Sequence, residues 1–196
     1  IMKLSVIIIS FQSNHLIKKI LSNFKKKHQI IIIENSMIQS TRKLEKKFQN
    51  TNVIIPTENL GYAKAFNLAL KKCKNNFVLT ITPDVLINKN LIEKIEKVIN
   101  KYKKFTLLAP EYKNQKIYKN FTPFEKIKLA KKKINGFEIE NVKEIDWCFC
   151  IINRKKFKNS KILDENFFMY FETIDLCKKL EKLKHKMSII RGLKFE

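Results

Sequence analysis

Two carboxylates stand where buried strands end. Glu34 closes the apolar run QIIIIE, and Asp84 follows FVLTITP. Glu34 in such a place accepts hydrogen bonds from a ribose or a base, or else serves as a turn or helix-capping carboxylate. Asp84 is placed to bind a divalent cation that bridges a diphosphate, or forms an ordinary Asx turn. A second acidic pair, Glu172 and Asp175, opens an amphipathic stretch after the string Phe167-Phe168-Met169-Tyr170-Phe171. Their spacing of three places them on one face near a helix N-terminus, where the helix dipole favours negative charge. The aromatic string does not fit a helical stripe and is expected in the core.

The elements that must position these groups are visible as an alternation. Short β-branched runs at 4–10, 29–33, 52–55, 77–81 and 106–109 are separated by Lys-rich amphipathic stretches from about Ser13, through Arg42 to Phe48, from Gly61 to about Lys72, and from Leu91 to Tyr102. Strands that are apolar throughout, rather than alternately, are buried on both faces. The first 110 residues therefore predict an open, mostly parallel Rossmann-like α/β sheet flanked by helices. Beyond Pro110 the pattern weakens. A hairpin or loop is expected over 112–121, a helix over 123–133, a strand over 142–152 and a last helix from Glu172 to about Lys184. No repeat or linker divides the chain, so one domain is expected over 1–196, with 1–110 as one half and 111–196 as the other.

In such a sheet ligands bind beyond the carboxyl ends of the strands. Those positions hold Ser10-Phe11-Gln12, Glu34-Asn35-Ser36, Asn59-Leu60-Gly61-Tyr62 and Thr82-Pro83-Asp84. Neither G-x-G-x-x-G nor G-x-x-x-x-G-K-[ST] occurs, which disfavours dinucleotide oxidoreductases and P-loop NTPases. Gly61 has a physical warrant of its own, since a residue without Cβ lets the backbone approach a ligand closely.

Composition narrows the partners. The 196 residues carry 41 Lys+Arg against 18 Asp+Glu, a formal charge of +23. Such charge suggests nucleic acid, but Arg occurs only at Arg42, Arg154 and Arg191, and Arg is the residue of bidentate base and phosphate contacts. The lysines are spread from Lys3 to Lys194 and accompany the Ile and Asn of A/T-rich codons. No specific nucleic-acid partner is expected. Cys73, Cys148, Cys150 and Cys177 form no C-x-x-C pair, and His15, His28 and His185 lie far from them. Neither a disulfide framework nor a zinc site is suggested, and a reducing, cytoplasmic compartment is expected. The run Leu4 to Ile9 is too short to cross a membrane. Ile1 before Met2 suggests a fragment or a start upstream of the natural Met.

Taken in order, the pieces resemble family 2 inverting glycosyltransferases of the GT-A fold, in the rhamnosyltransferase-like branch. The matching segments are SVIIISFQS, IIIENS, ENLGYAKAFNLAL, ITPDV and LDENFFMYFETIDLCKKL, spanning about residues 4–110 and 145–183. The stretch 111–144, where acceptor specificity lies in that family, shows no match.

The resemblance implies a nucleotide-diphospho-sugar donor held by Ser10 and Glu34, with Gly61 and Lys64 lining the cleft, Asn67 supporting it and Thr82 beside the metal position. It implies Mg²⁺ or Mn²⁺ on Asp84, a base from Glu172 or Asp175, and a glycan or lipid-linked acceptor in surface polysaccharide or lipid-linked glycan synthesis. The Lys-rich surface would then meet an anionic membrane peripherally. The chain departs from the pattern at five places. Thr82 replaces the first metal-motif residue, Thr173 stands at the usual base, the small residue expected in the strand around Cys148 is absent, and Gln12 replaces Asn. The chain also ends at Glu196, before a further strand and His, as expected of a truncated or reduced member. Thr173 supports the alternative of a catalytically silent nucleotide-sugar-binding relative.

Overall fold

The computed structural model describes residues 2–124 and 132–196. The parallel half forms as the apolar runs require. Strands β1 (Ser5–Ser10), β2 (Gln29–Glu34), β3 (Thr51–Ile54) and β4 (Phe77–Ile81) lie side by side in parallel, with β1 between β2 and β4. Their side chains alternate between two cores. Val6, Ile8, Ile30 and Ile32 point into one cluster, Ile7, Ile31 and Ile33 into the other, so each strand is apolar on both faces.

Helices α1 (Asn14–Leu21), α2 (Lys43–Lys47) and α4 (Lys89–Lys101) cover the first face; α3 (Gly61–Lys72) and α5 (Glu172–Lys182) cover the second. Capping fixes α4, since the Asn88 side chain accepts a hydrogen bond from the Leu91 N–H at 2.9 Å.

The second half turns the sheet into a mixed one. Strand β5 (Leu107–Tyr112) is separated from β4 by β9 (Phe149–Asn153), which runs antiparallel to both. Beyond β5 come β10 (Met187–Phe195), parallel to it, then β8 (Phe137–Ile145), which pairs antiparallel with β10, β6 (Phe121–Pro123) and β7 (Lys132–Ile134). The GT-A-like single α/β domain expected from the sequence is the fold observed, with its parallel pairing concentrated in β1–β4.

Three local expectations are corrected. The strand expected over 142–152 is two strands, because Asp146-Trp147-Cys148 breaks the run: the Asp146 carboxylate accepts from the Cys148 N–H at 3.1 Å and turns the chain. Contrary to the expected end before a further strand, β10 follows α5 and joins the sheet between β5 and β8. The helix expected over 123–133 falls mostly on 125–131, outside the described residues, and the segments at its ends are strands β6 and β7. Among the described residues, no helix is long and apolar enough to cross a membrane.

Candidate active site

The carboxyl ends of β1 and β2 build the first part of the site. Ser10 and Glu34 are register partners and both are fully buried. The Ser10 hydroxyl has no hydrogen-bond partner among the described residues. Glu34 is held from three sides: Oε1 accepts from the Ser36 N–H at 3.1 Å and from the Ser36 hydroxyl, and Oε2 from the Thr41 hydroxyl at 3.3 Å. A buried carboxylate fixed by neutral donors keeps acceptor capacity for a ligand hydroxyl or N–H.

Asn35 joins this end to α3. Its backbone N–H donates to the Ser10 carbonyl at 2.7 Å, and its side-chain amide donates to the Gly61 carbonyl at 3.0 Å. Asn35 stands among the strand-end residues with no motif to mark its role. Its side chain is the tie that fixes where α3 begins.

Gly61 has a left-handed backbone, φ +69°. A Cβ there would overlap the Phe168 carbonyl oxygen and lie 2.8 Å from the Phe168 ring. The close approach that requires glycine is thus made by the chain's own aromatic segment. That carbonyl accepts from the Tyr62 N–H at 2.7 Å, while Asn59 Oδ1 accepts from the Gly61 N–H at 2.9 Å. Lys64, on the same helix, is exposed.

Asn67 is fully buried and clamps the segment preceding the aromatics. Its amide donates to the Leu163 carbonyl at 2.8 Å and to Glu165 at 3.1 Å; its oxygen accepts from the N–H groups of Ile162 and Leu163 at 3.1 and 3.2 Å. All these bonds go to residues 162–165.

From that clamp the chain enters Phe167–Phe171, and here the expectation of a core segment is corrected. Phe168, Met169, Tyr170 and Phe171 are 57, 47, 72 and 67% exposed. Tyr170 and Phe171 both take positive φ, 68° and 64°, conformations that turn the chain sharply into α5 and throw the side chains outward. Consecutive left-handed residues other than glycine are strained and persist only where their surroundings hold them.

The turn delivers Glu172 into a cavity of about 720 Å³. Its walls come from α3 (Tyr62), the end of β4 (Thr82), the β8–β9 turn (Asp146, Trp147, Cys148) and the start of α5 (Glu172, Thr173). Glu172 is 5% exposed, and its Oε2 has no partner among the described residues. Burial raises its pKa above the ordinary carboxylate value. Asp175, one turn on, does not line this cavity and pairs with Lys179 at 2.6 Å. The two carboxylates expected on one face are thereby separated: one is enclosed, the other is a surface ion pair.

Thr82 donates its N–H to the Cys148 carbonyl at 2.9 Å, carrying the β4–β9 pairing one step past the strand ends. Asp84 lies beyond it, exposed, against a small cleft formed with α1. Burial first, then the charge of Asp146, pushes the Cys148 thiol up to about 12. Asp84, an exposed hard-oxygen ligand, fits a divalent cation whose other ligands are phosphate oxygens and water. Among the described residues no group of three or more His, Cys, Asp or Glu side chains is arranged to hold a metal by itself.

The low-salt glycan biosynthesis hexosyltransferase Agl10 of Haloferax volcanii is 26% identical over 188 residues, covering 89% of this chain and 60% of the relative. Among solved structures, S. aureus TarS 1-349 superposes with a TM-score of 0.70 at 19% identity, over 99% of this chain and 59% of that one; it has also been solved with UDP-GlcNAc. The mannosyltransferase PcManGT of Pyrobaculum calidifontis, in complex with GDP-Man and Mn²⁺, gives 0.73 at 12% identity, over 98% and 55%. The chain thus spans about three-fifths of the length of these relatives. The family model for glycosyl transferase family 2 matches residues 5–160, and the chain belongs to that family.

Proposed function

We propose that this chain transfers a hexose from a nucleotide-diphospho-sugar to an acceptor hydroxyl, with inversion, in the synthesis of a surface polysaccharide or lipid-linked glycan, as a rhamnosyltransferase-like member of its family. The observation that carries the reading is Glu172: a carboxylate raised in pKa, with an Oε2 that has no partner among the described residues, enclosed in a cavity that Thr82, just past the end of β4, also lines. The nucleotide-sugar and Mn²⁺ complexes of PcManGT and TarS support it.

In this mechanism Glu34 and Ser10 hold the nucleoside and Lys64 faces the cleft from α3, while Gly61 and Asn67 act indirectly, by seating the 162–168 segment that leads to Glu172. Asp84 would hold Mg²⁺ or Mn²⁺ against the diphosphate, and such a cation neutralises charge on a departing diphosphate. Glu172 Oε2 accepts the proton of the acceptor hydroxyl as that oxygen forms its bond to the anomeric carbon. The bond from that carbon to the diphosphate oxygen breaks in the same displacement, and its electron pair leaves with the diphosphate. One displacement inverts the carbon. Asp175, already paired with Lys179, is left out of proton transfer.

The second reading, a catalytically silent nucleotide-sugar binder, is favoured by Thr173 at the family's usual base position. A transfer assay with UDP- and GDP-hexoses separates the two. Turnover that Glu172→Gln abolishes supports the first. Donor binding without turnover, unchanged in Glu172→Gln but gained in Thr173→Asp, supports the second. A reducing cytoplasmic setting with peripheral contact to an anionic membrane belongs to the same proposal.

A further inference from the structure

We infer, resting on the reading above, that the acceptor sugar entering the Glu172 cavity is uncharged or amino-bearing, and that the cavity discriminates against anionic sugars such as uronic acids. The cavity is charged against the rest of the molecule. In a chain of +23, its described lining holds three carboxylates, Glu144, Asp146 and Glu172, and a single ammonium, Lys119. That ammonium sits 5.5 Å from the Phe121 ring centroid. The Glu144 carboxylate accepts from the Thr122 hydroxyl at 3.0 Å, and Asp146 from the Tyr118 hydroxyl and the Cys148 N–H. A cleft lined by one sign of charge between low-dielectric walls focuses that potential inward, so an anionic sugar meets repulsion that a neutral one does not.

The cavity is also built for a sugar rather than merely acidic. Its volume, about 720 Å³, falls within the range of small-molecule sites, roughly 300–1,000 Å³. Tyr62, Phe121, Trp147 and Phe171 supply aromatic surface for the apolar faces of a pyranose. Two of its lining side chains are at least nine-tenths buried and carry a polar atom without a partner among the described residues: Trp147 Nε1 and Glu172 Oε2. A buried N–H left unpaired is costly. Ligand hydroxyls, which both donate and accept, match this pair of a donor and an acceptor among the lining residues.

Trp147 is the only tryptophan in the chain, so its fluorescence reports on this cavity alone. The experiment titrates the full chain with the methyl glycosides of glucose, glucosamine and glucuronic acid, with and without UDP or GDP and Mn²⁺. The expected result is saturable change in Trp147 emission, with at least tenfold weaker response to the glucuronide than to the other two. That gap should narrow to about threefold or less in Glu144→Lys and, as an independent variant at the same wall, in Thr122→Lys. A glucuronide that binds as well as the glucoside, or three glycosides that all fail to perturb Trp147, overturns the inference. Nucleoside diphosphate binding is scored separately by melting temperature. Its loss sinks the glycosyltransferase reading itself, whereas its persistence beside an adverse glycoside result sinks only the acceptor class.

Discussion

The backbone carbonyl of Phe168 accepts a hydrogen bond from the Tyr62 N–H at 2.7 Å, across the space that a side chain on Gly61 would fill. The start of α3 and the segment leading to Glu172 are therefore one packed unit. Replacing Gly61 with Ala strains a backbone at φ +69° and drives the new methyl into that carbonyl. A loss of about 2–4 kcal/mol is expected, together with a changed near-ultraviolet circular dichroism signal as the aromatics shift. A variant as stable as the parent, with an unaltered aromatic spectrum, contradicts the packing described.

Burial of Glu172, the proposed base, carries a cost in stability. Burial raises its folded pKa, so the unfolded chain gives up this proton at lower pH than the folded one. Between the ordinary carboxylate value and the raised one, stability therefore falls as pH rises. Glu172→Gln removes that cost and should melt higher at pH 7 while losing at least about a hundredfold in turnover. The parent's kcat should climb with pH through a value above the usual carboxylate range. Asp175→Asn should stay within about threefold of the parent.

Asn67 makes its bonds from a fully buried position to the 162–165 segment. Asn67→Ala leaves the buried Leu163 N–H and carbonyl without their side-chain partners, at about 2–3 kcal/mol. For a chain of this size that lowers the melting temperature by about 5–10 °C. Hydrogen exchange should quicken across 160–171 more than in β1 or β2.

His28 is buried between α4 and the sheet. Its Nδ1 accepts from the Leu4 N–H at 3.2 Å, and its Nε2 lies 3.2 Å from Glu96. Desolvation lowers its pKa to about 4, against the opposing pull of Glu96. The unfolded chain takes up this proton near the ordinary histidine value, so the contribution is whole above about pH 6.5 and is lost as pH falls toward 4. Melting temperature should drop across that window, and the drop should be shallower in His28→Gln.

How much of this was legible in the sequence depended on whether local pattern and tertiary role agreed. Runs such as SVIIIS and QIIIIE are buried on both faces, so composition alone marks them as central strands, and the bounds of α3 follow from Gly61 and the Lys pair at its end. The turn at Asp146-Trp147-Cys148 was hidden because it contains neither Gly nor Pro and two of its three residues are apolar. Strand β10 was hidden because lysines flank it and Gly192, at φ +79°, interrupts its pairing with β5 between Ile190 and Lys194. The exposure of Phe168 to Phe171 follows from two left-handed residues that no pattern of residue types announces. Likewise Glu172 and Asp175 share a helix turn in sequence, and only the packing of α5 against β8 shows which of them is enclosed.

The most direct measurement is the melting temperature of the purified chain with UDP, GDP and their hexose conjugates, each with and without Mn²⁺. A ligand at a hundred times its Kd stabilises the native state by about 2.7 kcal/mol, a rise of about 5–10 °C for a chain of this size. Such a rise is expected for at least one nucleoside diphosphate, dependent on Mn²⁺ and lost in Asp84→Asn. No rise with any of them, at millimolar ligand and with the cation present, would contradict it.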